Sequence, residues 1–110
     1  GSVGGHGRKM LIDYGKKYSE ICKENNTSLA YFMVWPSLDY YHTFEAVIKN
    51  HEEAAKINGA ILFPVGTVWK KYFDASKKYD YYGSDSFHPS KKGSDIAAKV
   101  ITKVLIRYLN

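Results

Sequence analysis

The sequence predicts an α/β fold with a short parallel sheet, and three observations carry that reading. Two short apolar runs, residues 29–35 (Leu-Ala-Tyr-Phe-Met-Val-Trp) and 60–65 (Ala-Ile-Leu-Phe-Pro-Val), have the composition of strands covered on both faces. Between them Phe44, Val47, Ile48, His51, Ala54 and Ala55 recur at helical spacing, which is the pattern of a parallel β-α-β unit. Further helical stripes flank the pair. A chain of 110 residues, 45% hydrophobic and 25% charged, suffices for one domain with a real core.

Each element has its own signal. Residues 1–8 hold four glycines without periodicity, so they read as a flexible lead-in and an engineered or processed start, with the domain spanning 9–110. Met10, Leu11, Tyr14, Tyr18, Ile21 and Cys22 then fall on one stripe, predicting a helix that Asn25-Asn26 ends. Pro36 closes the first strand, and residues 37–42 read as a loop. The central helix stops near Asn58-Gly59. Pro64 ends the second strand, and Gly66-Thr67 opens a short helix carrying Val68, Trp69, Tyr72 and Phe73. A polar, Tyr-rich loop covers residues 76–88. Pro89-Ser90 caps a last helix with the stripe Ile96, Ala97, Val100, Ile101, Val104, Leu105 and Tyr108.

Two strands are too few for an ordinary parallel sheet, and a five-stranded doubly wound domain needs roughly 150 residues. The chain therefore reads as the C-terminal part of such a domain. Its sheet would be completed by an N-terminal segment or by another copy, so homo-oligomerisation is expected.

Composition narrows the function. The net charge is +5, but the lysines come in small groups along the whole chain, and only Arg8 and Arg107 represent arginine. That is a solvated basic surface, and no nucleic-acid partner is expected. No apolar run approaches the ~20 residues of a membrane span. A single cysteine, Cys22, excludes an internal disulfide framework and a cysteine-based zinc cluster, and it leaves the compartment open. His51-Glu52-Glu53-Ala54-Ala55 begins like a zinc-binding helix but has Ala55 where a second ligand must stand. His51 lies on the apolar stripe as a packed histidine, and His42 falls on the opposite helix face. Neither a metal nor a cofactor is expected.

The densest chemical signal is Asp85-Ser86-Phe87-His88-Pro89-Ser90-Lys91-Lys92-Gly93. A carboxylate three residues before an imidazole, in a loop that a capped helix anchors, can engage one ring nitrogen. The other nitrogen is then free to take a proton from a hydroxyl. This block resembles the C-terminal block of the SGNH (GDSL-type) hydrolases, in which Asp-x-x-His-Pro is followed by a glycine and a small-residue helix. Here those positions are Asp85, His88-Pro89, Gly93 and Ala97-Ala98. Weaker likeness extends through Met33-Val34-Trp35 and Phe63-Pro64-Val65-Gly66, strand ends in one bacterial branch of that family.

The resemblance implies the C-terminal part of a flavodoxin-like three-layer α/β/α sandwich with a short parallel sheet. It also implies a serine esterase acting on acyl or acetyl esters, those of carbohydrate included. Asp85 would orient His88, and His88 would be the general base. The family's Gly-Asp-Ser nucleophile block, its oxyanion-hole glycine and its Gly-x-Asn-Asp block do not occur in these 110 residues. The chain thus holds the Asp–His half of a triad. Trp35, Tyr40 and Tyr82 are the expected substrate-binding residues, because they flank strand C-terminal ends, where doubly wound folds bind ligands. The alternative is a non-catalytic α/β module that binds through its Tyr-rich loops.

Overall fold

The computed structural model describes residues 4–109. They form a mixed α/β fold in the order α1 (Gly4–Glu24), β1 (Ala30–Phe32), a 3-10 helix (Leu38–Thr43), α2 (Phe44–Ile57), β2 (Ile61–Phe63), α3 (Val65–Ser76) and α4 (Lys91–Leu109). The strands run parallel, with Ala30 opposite Ile61 and Phe32 opposite Phe63. α2 connects them, as the apolar–amphipathic–apolar pattern requires. The 3-10 helix occupies the stretch that sequence reasoning assigned to a loop.

The core gathers around α3. Trp69, Phe73, Phe44, Val47, Val65 and Met33 are fully buried, with Tyr81, Tyr82 and Ala97 packed beside them. Trp35 stacks on Trp69 with ring centroids 3.8 Å apart, and the edges of Phe73 and Tyr82 meet Trp69 at 5.8 and 5.5 Å. Offset and edge-on pairs of this kind add about 0.5–1.5 kcal/mol each beyond their buried area. They fix the position of β1's exit against α3.

Three expectations are corrected. Helix α1 begins at Gly4, five residues before the start expected from periodicity, and Arg8 pairs with Glu53 at 2.6 Å. Residues 4–8 are therefore helical, while residues 1–3 of the expected lead-in lie outside the described residues. Secondly, the stripe Met10, Tyr14, Tyr18 and Ile21 is exposed. The chain packs this helix on α2 through its small-residue side instead. Gly15 leaves room for the Tyr31 hydroxyl and the Asn58 amide, which bond to Leu11 O (2.7 Å) and Ile12 O (3.1 Å). Periodicity marks an apolar face but does not name its cover.

Thirdly, the strands have three residues each and neither is buried on both faces. Ile61 N–H donates to Leu29 O and Met33 N–H to Phe63 O, so alternate groups of β1 point to the opposite edge. No described strand pairs there. The side chains of Phe32 and Val34 are 39% and 40% exposed.

His51 is buried on α2, and its Nδ1 lies 2.8 Å from Val47 O one turn earlier. Burial holds its pKa below the ordinary 6.5, with the backbone bond opposing that shift. The unfolded chain thus binds the extra proton first, and stability must be lost as pH falls below about 6.5. Thermal unfolding from pH 8 to 5 should show a falling midpoint through that window. His51→Gln should flatten the fall, whereas an undiminished fall in that variant would assign it elsewhere.

Candidate functional site

The loop before α4 is a built structure. Gly83 N–H donates to His88 O (2.6 Å), Ser90 N–H to Tyr81 O (2.8 Å) and Ser86 N–H to Gly83 O (3.0 Å). Tyr82 and Pro89 form an isolated antiparallel bridge. This narrow hairpin carries residues 84–87 at its tip, where Ser86 takes a left-handed conformation at φ 60°. Ser90 then caps α4: its Oγ accepts from Gly93 N–H (3.1 Å) and donates to Asp80 O (2.7 Å).

At the tip, Asp85 uses both carboxylate oxygens. Oδ1 accepts from the backbone N–H of Phe87 (2.9 Å) and of His88 (2.8 Å), an Asx-type turn. Oδ2 lies 2.6 Å from His88 Nδ1. A carboxylate only accepts, so Nδ1 carries the proton and Nε2 of the neutral ring bears a lone pair. The bond from His88, followed by the Phe87 backbone bond, holds the Asp85 carboxyl below the usual carboxylate range. The side chains are 75% and 51% exposed for His88 and Asp85, so Nε2 is open to a reactant. Asp85 and His88 are brought together as the spacing predicts.

Two long-range bonds hold this tip against the exit of β1. Trp35 Nε1–H donates to Phe87 O (2.8 Å), and Leu38 N–H donates to Ser86 O (2.9 Å). Trp35, Pro36, Ser37, Tyr40, Thr43, Val47 and Phe87 line a groove of about 600 Å³. The Phe87 ring stands 5.0 Å from the His88 ring, so the groove adjoins the dyad.

Of the expected binding residues, Trp35 lines the groove and Tyr40 lies at its rim, 61% exposed. Tyr82 is a correction: it is 7% exposed and donates its hydroxyl to Pro36 O (2.6 Å), so it packs the core beneath the groove. Burial pushes its phenol up to about 12. The other tyrosines of the Tyr-rich segments are also engaged internally. Tyr41 donates to Asp74 (2.6 Å), and Tyr81 stacks on Tyr72, which donates to Asp80 (2.7 Å). Lys92 reaches the same Asp80 carboxylate at 2.9 Å.

Sequence reasoning missed Phe87 as a groove wall. Its signal was present, since it lies between two residues that turn toward each other and must project elsewhere. Among the described residues no group of three or more His, Cys, Asp and Glu is placed to hold a metal ion. No described helix is long and apolar enough to cross a membrane. Comparison with protein-family models, curated proteins and solved structures finds no match to this chain.

Proposed function

We propose that this chain supplies the base and its orienting carboxylate to a serine esterase of the SGNH type acting on acyl esters. The observation that carries the reading is the 2.6 Å contact between His88 Nδ1 and Asp85 Oδ2, with Nε2 left open beside a groove. In such a site Nε2 takes the serine proton during attack and returns it to the leaving alcohol. Asp85 holds the tautomer and stabilises the imidazolium. The nucleophile and oxyanion donors come from a segment carrying Gly-Asp-Ser, which joins the sheet along the free edge of β1. The completed fold is a three-layer α/β/α sandwich of the flavodoxin-like kind.

The rival reading, a binding module using its Tyr-rich loops, is less well supported, because most of those tyrosines are used in packing. p-Nitrophenyl acetate release tests the proposal. The 110-residue chain alone should not exceed free imidazole, since each missing oxyanion donor costs about 10²–10³ in rate and the nucleophile more. A chain extended at its N-terminus by a Gly-Asp-Ser segment should turn over, and His88→Ala should abolish that turnover. Robust release by the 110 residues, lost in His88→Ala, would place a nucleophile within them.

The same reading makes self-association the expected behaviour of the chain by itself. The free β1 edge and the exposed α1 stripe are surfaces that a second copy can cover. Light scattering at high micromolar concentration should report dimers or larger species. A strict monomer that binds no apolar dye would contradict this.

A further inference from the structure

Resting on the ester-hydrolase reading, we propose that the groove beside the dyad receives the acyl group, and that this group is an apolar chain longer than acetyl. The site then selects its substrate through the acid part of the ester, not through a sugar.

Three features of the groove point this way. Its volume, about 600 Å³, lies in the range of small-molecule sites and far exceeds what one methyl group fills. Its wall is the indole of Trp35, the rings of Tyr40 and Phe87, Pro36 and Val47. The polar groups within that wall are mostly committed to the protein. Trp35 Nε1–H is given to Phe87 O, Thr43 Oγ1 donates to Tyr40 O (2.7 Å), and Pro36 O accepts from Tyr82.

Of the side-chain hydroxyls in the wall, those of Ser37 and Tyr40 donate to no protein group among the described residues. A sugar ring carries several hydroxyls that must each exchange water for a partner, and a wall made mainly of Trp35, Pro36, Tyr40, Val47 and Phe87 meets that demand poorly. A hydrocarbon chain makes no such demand and gains from every methylene buried. The order of the parts fits as well. Phe87 lines the groove and its ring lies 5.0 Å from the His88 ring, so a chain lying toward Tyr40 and Val47 would have its carbonyl end beside the dyad. Trp69, stacked behind Trp35, keeps that wall rigid.

A second apolar hollow exists on the far side of the molecule, lined by Met10, Leu11, Tyr14, Tyr18, Leu29 and Tyr31. The test must separate the two. Neutral amides from acetamide to octanamide, titrated against the 110-residue chain and followed by tryptophan fluorescence, serve as probes. Affinity should rise about fourfold per added methylene until the chain outgrows the groove. The double variant Tyr40→Ala/Phe87→Ala, which changes two exposed side chains, should flatten that rise. Tyr14→Ala, in the far hollow, should leave it intact.

A flat series in the unmodified chain would overturn the proposal. So would methyl glucoside binding as tightly as octanamide, or a rise that survives the double variant or vanishes in Tyr14→Ala. The two readings fail separately. A methylene series confined to the groove, with no turnover in the extended chain, would refute the esterase and keep the apolar site. Turnover with equal kcat/KM for acetyl and octanoyl esters would do the reverse.

Discussion

Gly93→Ala is expected to destabilise the native state by about 3 kcal/mol, although it adds a single methyl group. Gly93 is buried in the first turn of α4. A Cβ there would collide with the Tyr81 carbonyl oxygen and approach the Trp69 ring within 2.9 Å. Neither neighbour can yield cheaply. The Tyr81 carbonyl accepts the Ser90 N–H that closes the dyad hairpin, and Trp69 is the fully buried centre of the aromatic core. Moving either one breaks a hydrogen bond or opens a void. Urea unfolding should show the midpoint displaced with the slope unchanged. Gly5→Ala, where nothing stands within 4 Å, is the control and should be neutral or gain up to about 1 kcal/mol from helix propensity. A Gly93→Ala protein within about 0.5 kcal/mol of the parent would mean that α4 and the hairpin are not packed as described.

The second large effect concerns turnover in the extended chain. Asp85→Asn should lower kcat about 10⁴-fold while changing KM little, the loss seen when a triad carboxylate becomes an amide. Oδ1 can remain an acceptor for the Phe87 and His88 amides, so the turn has no reason to unfold. What changes is the partner of Nδ1. An amide that presents its N–H there stabilises the tautomer with the proton on Nε2, which cannot accept a proton from a hydroxyl. Steady-state kinetics on an octanoyl ester measures this. A loss below tenfold would show that Asp85 is not the orienting group.

Much of the framework could be read from the residues. The order of helices and strands follows from two apolar runs, four helical stripes and the stops at Asn25-Asn26 and Asn58-Gly59. The Asp85–His88 contact follows from a local spacing, and the Ser90 cap from residue type alone. What remained hidden depends on partners distant in sequence. Nothing near Trp35 announces that its indole will hold the carbonyl of Phe87, 52 positions away. Tyr40 and Tyr82 look equivalent as residues, yet one lies at the rim and the other under the floor, because Tyr82 faces α3. The stripe on α1 was legible as apolar but not as exposed. Its fate was set by Gly15, which admits Tyr31 and Asn58 and turns the opposite side of the helix inward.

The central claim is that Asp85 fixes the protonation pattern of His88, and ¹⁵N-detected imidazole spectra of the 110-residue chain test it most directly. At a pH where the ring is neutral, the account predicts that His88 shows a protonated Nδ1 and an unprotonated Nε2, and that Asp85→Asn erases or inverts the pattern while His6, His42 and His51 keep theirs. A neutral His88 protonated at Nε2 in the unmodified chain, or one whose tautomer ignores Asp85→Asn, would contradict it.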